Sequence, residues 1–180
     1  MTAQPARSTS GLGNVFLPSE AEDGRPTERP HISFALSGGI TEASWNAQAK
    51  AADFYAAKGI VENLLAQYQD LSFVASSDKA GMHPGRTASV KIADQEIGFV
   101  GQIHPATAKK YDIKETYVGE LDLQVMLELA PAQVIFKDLP KVQASSRDLS
   151  LLVDETVTHD QIRQTVLESR VKTSMQSNWR

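Results

Sequence analysis

The sequence predicts a mixed α and β domain, and three observations carry that prediction. Met82–Pro105 reads as one β-hairpin, Asp53–Gln69 repeats apolar residues at helical spacing, and short alternating stretches surround both. In the hairpin, Arg86–Ile92 alternates Ala88, Val90 and Ile92 with Thr87, Ser89 and Lys91. Ala93–Glu96 forms a polar turn, and the chain returns over Ile97–Ile103. Gly98 and Gly101 fall inside that returning strand, where glycine marks a bulge or a close backbone approach. A His-Pro step stands at each end, His83-Pro84 and His104-Pro105.

The other elements follow in chain order. Residues 1–12, rich in Ala, Ser, Thr, Gly and Pro, are expected to form a disordered lead-in. Asn14–Leu17 reads as a short strand ended by Pro18, and Ser19–Pro30, with six charged residues plus Gly24 and Pro26, as a solvated loop. His31–Leu36 alternates Ile32, Phe34 and Leu36, a strand stopped by Gly38-Gly39. In the long helix, Phe54, Ala57, Val61, Leu64, Leu65 and Tyr68 share one face, and Asp53 suits the N-cap. Lys58 and Glu62 can pair one turn apart. Gly59 costs that helix about 1 kcal/mol relative to Ala, so a close neighbour is expected there. The aromatics Phe54, Tyr55 and Tyr68 are read as core.

Pro105 suits the first turn of a short helix over Ala106–Tyr111. Thr116–Leu123 reads as a strand, Val125–Leu129 as a helical turn, and Gln133–Phe136 as a further strand. The pattern changes at Leu139-Pro140. Arg147–Val153 reads as a strand with an apolar end, and Val157–Glu168 as a helix with a capping box from Thr158 to Gln161. One strand and one helix cannot enclose a core, so this last part reads as the opening of an unfinished unit.

Composition bounds the function. At 180 residues, with 41% hydrophobic and 22% charged residues, the chain has material for a real core and is not a disordered sequence. A net charge of −4 argues against a chain-wide nucleic-acid footprint, though not against a local basic patch. The absence of cysteine removes disulfides, thiolate metal sites and thiol nucleophiles. No apolar run approaches the roughly 18–20 residues of a membrane span, and the N-terminus lacks the apolar stretch of a signal peptide. A soluble cytoplasmic protein with no membrane partner is expected.

Few residues offer chemistry. His31, His83, His104 and His159 show no metal-binding spacing, and no phosphate-binding glycine loop or nucleophile elbow occurs. His83-Pro84-Gly85-Arg86 admits two readings. Backbone N–H groups with His83 and Arg86 could gather around a phosphate or carboxylate. In the other, favoured reading, a Pro-Gly turn launches the strand, with His83 capping and Arg86 paired to an acid. Glu120 and Asp122, two apart on a strand, face one side. They could do acid–base work or bind a cation, or pair with Arg or Lys across the sheet. Arg147 could meet an RNA phosphate or the neighbouring Asp148.

Several of these pieces together resemble the β subunit of bacterial phenylalanyl-tRNA synthetase. They are Gly13–Leu17, the helix text Asp53–Glu62, His83–Arg86 with Ala88, Ile97–Pro105, Glu120–Leu123, and Leu139-Pro140 followed by Ser146–Leu149 and Val153–Glu155. Leu139 and Ser146 depart from the family's usual aromatic and arginine. The resemblance implies an α+β fold with an antiparallel sheet and flanking helices, a class II aminoacyl-tRNA synthetase-like core, over 13–138. It implies the truncated start of a ferredoxin-like anticodon-binding domain over 139–180. The core module is catalytically silent in this family, where the α subunit activates phenylalanine with ATP and magnesium in an α2β2 assembly. The chain is therefore expected to be a fragment with no catalytic residue, cofactor or metal of its own. Its expected partners are the α subunit and tRNA(Phe), with Arg147 as the tRNA contact and His83 and Arg86 as anion-binding or interface residues. The competing readings are a stand-alone small-molecule enzyme or anion-binding domain using His83, Arg86, Glu120 and Asp122, and a free-standing RNA-binding module.

Overall fold

In the computed structural model, described over residues 7–18, 25–41, 44–46, 48, 50–129, 131, 136, 148 and 150–168, one antiparallel sheet organises the chain. Its strands are β1 (Arg7–Leu17), β2 (Thr27–Ser37), β5 (Leu71–Ala75), β6 (Met82–Ile92), β7 (Gln95–Ile103) and β8 (Thr116–Asp122), in the spatial order β1-β2-β8-β7-β6-β5. A two-stranded ribbon, β3 (Gly39–Thr41) with β4 (Lys50–Ala51), stands beside it in the topology. The helices are α1 (Phe54–Leu64), α2 (Pro105–Lys110), α3 (Leu123–Glu128) and α4 (His159–Glu168). The chain divides into two units between Ile135 and Phe136.

The alternation read from the sequence fixes which face is buried. Residues directly opposite across an antiparallel pair share a face. Ile32, Phe34 and Leu36 of β2 oppose Leu121, Gly119 and Tyr117 of β8, and α1 and α3 pack on this side of the sheet. Here lie Val90, Val100, Ile97 and Leu121 with Val61 and Leu65 from the helix, all fully buried. At about 25 cal/mol per Å² of apolar surface removed from water, this cluster is the main stabilising term of the body. His31, Ser33 and Ala35 oppose Asp122, Glu120 and Val118 on the other face.

The N-terminal expectation is corrected. Residues 7–12, read as a disordered lead-in, belong to β1, which pairs with β2 from Arg7↔Ser37 to Leu17↔Thr27. Their small polar composition has weak strand propensity, but a full ladder to a neighbour overrides it. That pairing also draws Thr27–Pro30 out of the expected loop and into β2.

The long helix ends earlier than its periodicity promised, at Leu64, with Leu65 as C-cap yet completely buried. Asp53 caps it as expected, its carboxylate accepting from the Ala56 N–H at 2.7 Å. Lys58 and Glu62 pair at 3.0 Å. Gly59 has no close neighbour, against expectation, and nothing in the structure explains it. Tyr55 is 77% exposed and no part of the core, while Phe54 and Tyr68 pack against it.

The hairpin forms as β6 and β7, with its turn reduced to Ala93-Asp94. Gly98, expected to mark a bulge or a close backbone approach, stands at a bulge: the register shifts between Val90 and Lys91, and Gly98 has φ +154°. A Cβ there would run into the Glu120 carbonyl of β8, so glycine is required. The strand β5 and the ribbon β3–β4 carry no sequence signal strong enough to have been read. α4 starts with the predicted capping box, Thr158 N–H donating to Gln161 Oε1 at 2.8 Å and Gln161 N–H to Thr158 Oγ1 at 3.3 Å. The strand expected over Arg147–Val153 is corrected in part: Asp148 and Ser150–Val153 adopt no strand, while Arg147 and Leu149 lie outside the described residues. Leu151 and Leu152 are exposed there, so a strand would have no buried face to reward it. The strand expected at 133–136 and the boundary at 139–140 fall almost wholly outside the described residues.

Candidate functional site

Two polar clusters sit on β8, at its opposite ends. At the start, Glu115 accepts hydrogen bonds from the Arg86 guanidinium at 3.2 Å and from the Tyr117 hydroxyl at 2.6 Å. Arg86 also donates to Gln102 Oε1 at 2.9 Å. This arrangement follows from the backbone of the His-Pro-Gly-Arg segment. Between the pairs Met82↔Ile103 and Thr87↔Gly101, residues 83–86 of β6 face only Gln102 of β7. The extra length bulges outward, and Pro84, which lacks an N–H, is tolerated because the ladder is broken there.

Within the bulge, His83 Nδ1 accepts from the Gly85 N–H at 3.1 Å, and the Thr87 hydroxyl donates to the His83 carbonyl at 2.7 Å. His104 does the same work where β7 ends beside the start of β6, accepting from the Ala106 N–H at 3.1 Å to cap α2. The two imidazoles lie 6.4 Å apart, centre to centre. His83 therefore caps a turn and Arg86 is paired to an acid, the second of the two readings of this segment. Burial, reinforced by the Glu115 hydrogen bond, pushes the Tyr117 hydroxyl up to about 12, so it stays a neutral donor at physiological pH.

At the end of β8, Glu120 and Asp122 do face one side, as their spacing requires. Asp122 accepts from the Arg29 guanidinium of β2 at 2.8 Å and from the Val125 N–H at 3.1 Å, the latter capping α3. Burial alone would raise the Asp122 carboxyl, but the Arg29 and Val125 hydrogen bonds outweigh it and hold the group below its ordinary value. Glu120 Oε1 lies within hydrogen-bond distance of His31 Nδ1, at 2.7 Å. His31 Nε2 is buried without a hydrogen-bond partner among the described residues, 3.7 Å from Asp122 Oδ2. The sequence reading singled out the two carboxylates but not their partners. Arg29 and His31 could have been found only from the β2–β8 register, a pairing across more than eighty residues.

The two clusters do not converge. At about 3.3 Å per strand residue, Glu115, just before β8, and Asp122 at its end stand roughly 23 Å apart. They also lie on opposite faces, since Tyr117 and Leu121 point to the helices while Glu120 and Asp122 point away. A single pocket built from His83, Arg86, Glu120 and Asp122 is thereby excluded, and with it the stand-alone enzyme reading. Against the open face, a shallow groove of about 440 Å³ is lined by Thr9, Gly11, Ser33, Phe99, Val118 and Glu120, among others. Arg147 lies outside the described residues. Among the described residues no group of three or more metal-ligating side chains occurs, and no helix is long and apolar enough to cross a membrane.

Comparison with known proteins places this geometry in a family. Residues 11–123 match the model of the phenylalanyl tRNA synthetase beta chain CLM domain. The phenylalanine–tRNA ligase beta subunit of Lactococcus lactis is 58% identical over 165 residues, 92% of this chain and 21% of that protein. The beta subunits of Streptococcus agalactiae serotype Ia and Streptococcus mutans serotype c are 44% and 40% identical over 163 residues, in each case 89% of this chain and 20% of theirs. The chain thus spans about a fifth of the length of these relatives. The matched residues contain both polar clusters and the whole six-stranded sheet except the first four residues of β1, and the chain belongs to the phenylalanyl-tRNA synthetase beta chain CLM domain family.

Proposed function

We propose that this chain is a non-catalytic part of a phenylalanyl-tRNA synthetase β subunit, working in the cytoplasm to scaffold the α subunit and to help position tRNA(Phe). The observation that carries this reading is the match of residues 11–123 to the CLM domain family, extended by relatives that cover about nine-tenths of the chain. The chemistry of the site supports it. Arg29, Arg86, Glu115, Glu120 and Asp122 are engaged with one another or with neighbouring side chains, in pairs that tie strands together. Such groups build a surface; they do not present a base to a nucleophile.

In this reading the sheet body corresponds to a class II synthetase-like core, which the continuous antiparallel ladder supports. Residues 139–180 correspond to the opening of a ferredoxin-like anticodon-binding domain, in which Arg147 meets an RNA phosphate. Phenylalanine activation, with ATP and magnesium, falls to the α subunit. The test is size-exclusion chromatography of the chain mixed with the cognate α subunit. Co-elution as one complex is the expected result. A folded chain that elutes separately from the α subunit overturns the scaffolding role.

A further inference from the structure

We draw no further inference here: the strongest candidate, the side-chain cluster of His31, Glu120 and Asp122 on the open face of the sheet, where the buried His31 Nε2 has no hydrogen-bond partner among the described residues, belongs to the site already described, and its carboxylates are already held by Arg29, the α3 cap and His31.

Discussion

The sheet body and the segment 150–168 contrast in how their local signals are rewarded. In the body, weak local signals end in a deep core: β1 opens on Ser, Thr and Gly, and β5 escapes sequence reading, yet both join a ladder around Val90, Val100, Ile97 and Leu121. In the later segment the local signal is the best in the chain. The capping box of α4 forms with both reciprocal hydrogen bonds, and still no residue of α4 is buried. Leu152 just before it is fully exposed. Caps and propensity decide whether a turn of helix starts; burial against distant residues decides whether it contributes to stability.

The largest effect that separates the two regions should come from Gly98. Gly98→Ala forces a methyl into the Glu120 carbonyl at a positive φ, and the loss should exceed about 3 kcal/mol or prevent folding. A urea midpoint equal to that of the parent chain would contradict the close passage of β7 over β8. Next, Leu65→Ala should cost about 2–5 kcal/mol because the side chain is fully buried. Leu152→Ala should change stability by no more than about 0.5 kcal/mol. Equal losses in the two variants would erase the contrast.

Smaller effects sharpen the picture inside the body. Asp122→Asn removes the Arg29 ion pair and weakens the α3 cap, and should cost about 1–2 kcal/mol by chemical denaturation. Because the folded-state carboxyl titrates below its ordinary value of 3.8, its contribution is full above that pH and fades as pH falls through the lower folded value. Acid titrations of the two proteins should therefore converge. Parallel curves would mean that Asp122 is not held by Arg29. At the other cluster, Arg86 and Glu115 are each more than half exposed, so Arg86→Ala should cost no more than about 1 kcal/mol. A larger loss would show that the bulge depends on this pair.

What could be read from the sequence follows the same division between local and distant causes. The hairpin, the N-caps at Asp53 and Thr158, the Lys58–Glu62 pair and the bulge at Gly98 are set within a few residues or by a glycine's geometry, and each was legible. The strand status of residues 7–12 was not, because it rests on pairing with β2, up to thirty residues further along the chain. Of the candidate site, the common facing of Glu120 and Asp122 was legible from strand period alone. Their partners Arg29 and His31 were not, since they come from a strand about ninety residues earlier. Nor could the sequence show that the Arg86–Glu115 cluster lies on the other face and at the other end of β8.

The central claim is that the stability of the described residues resides in the sheet body and that α4 buries none of its own residues. Amide hydrogen exchange resolved by residue tests it most directly. Amides in β2, β7 and β8 should be the slowest, exchanging only on global unfolding, while those of α4 should exchange through local opening at far lower free energy. Protection of α4 equal to that of β7 and β8 would contradict the account.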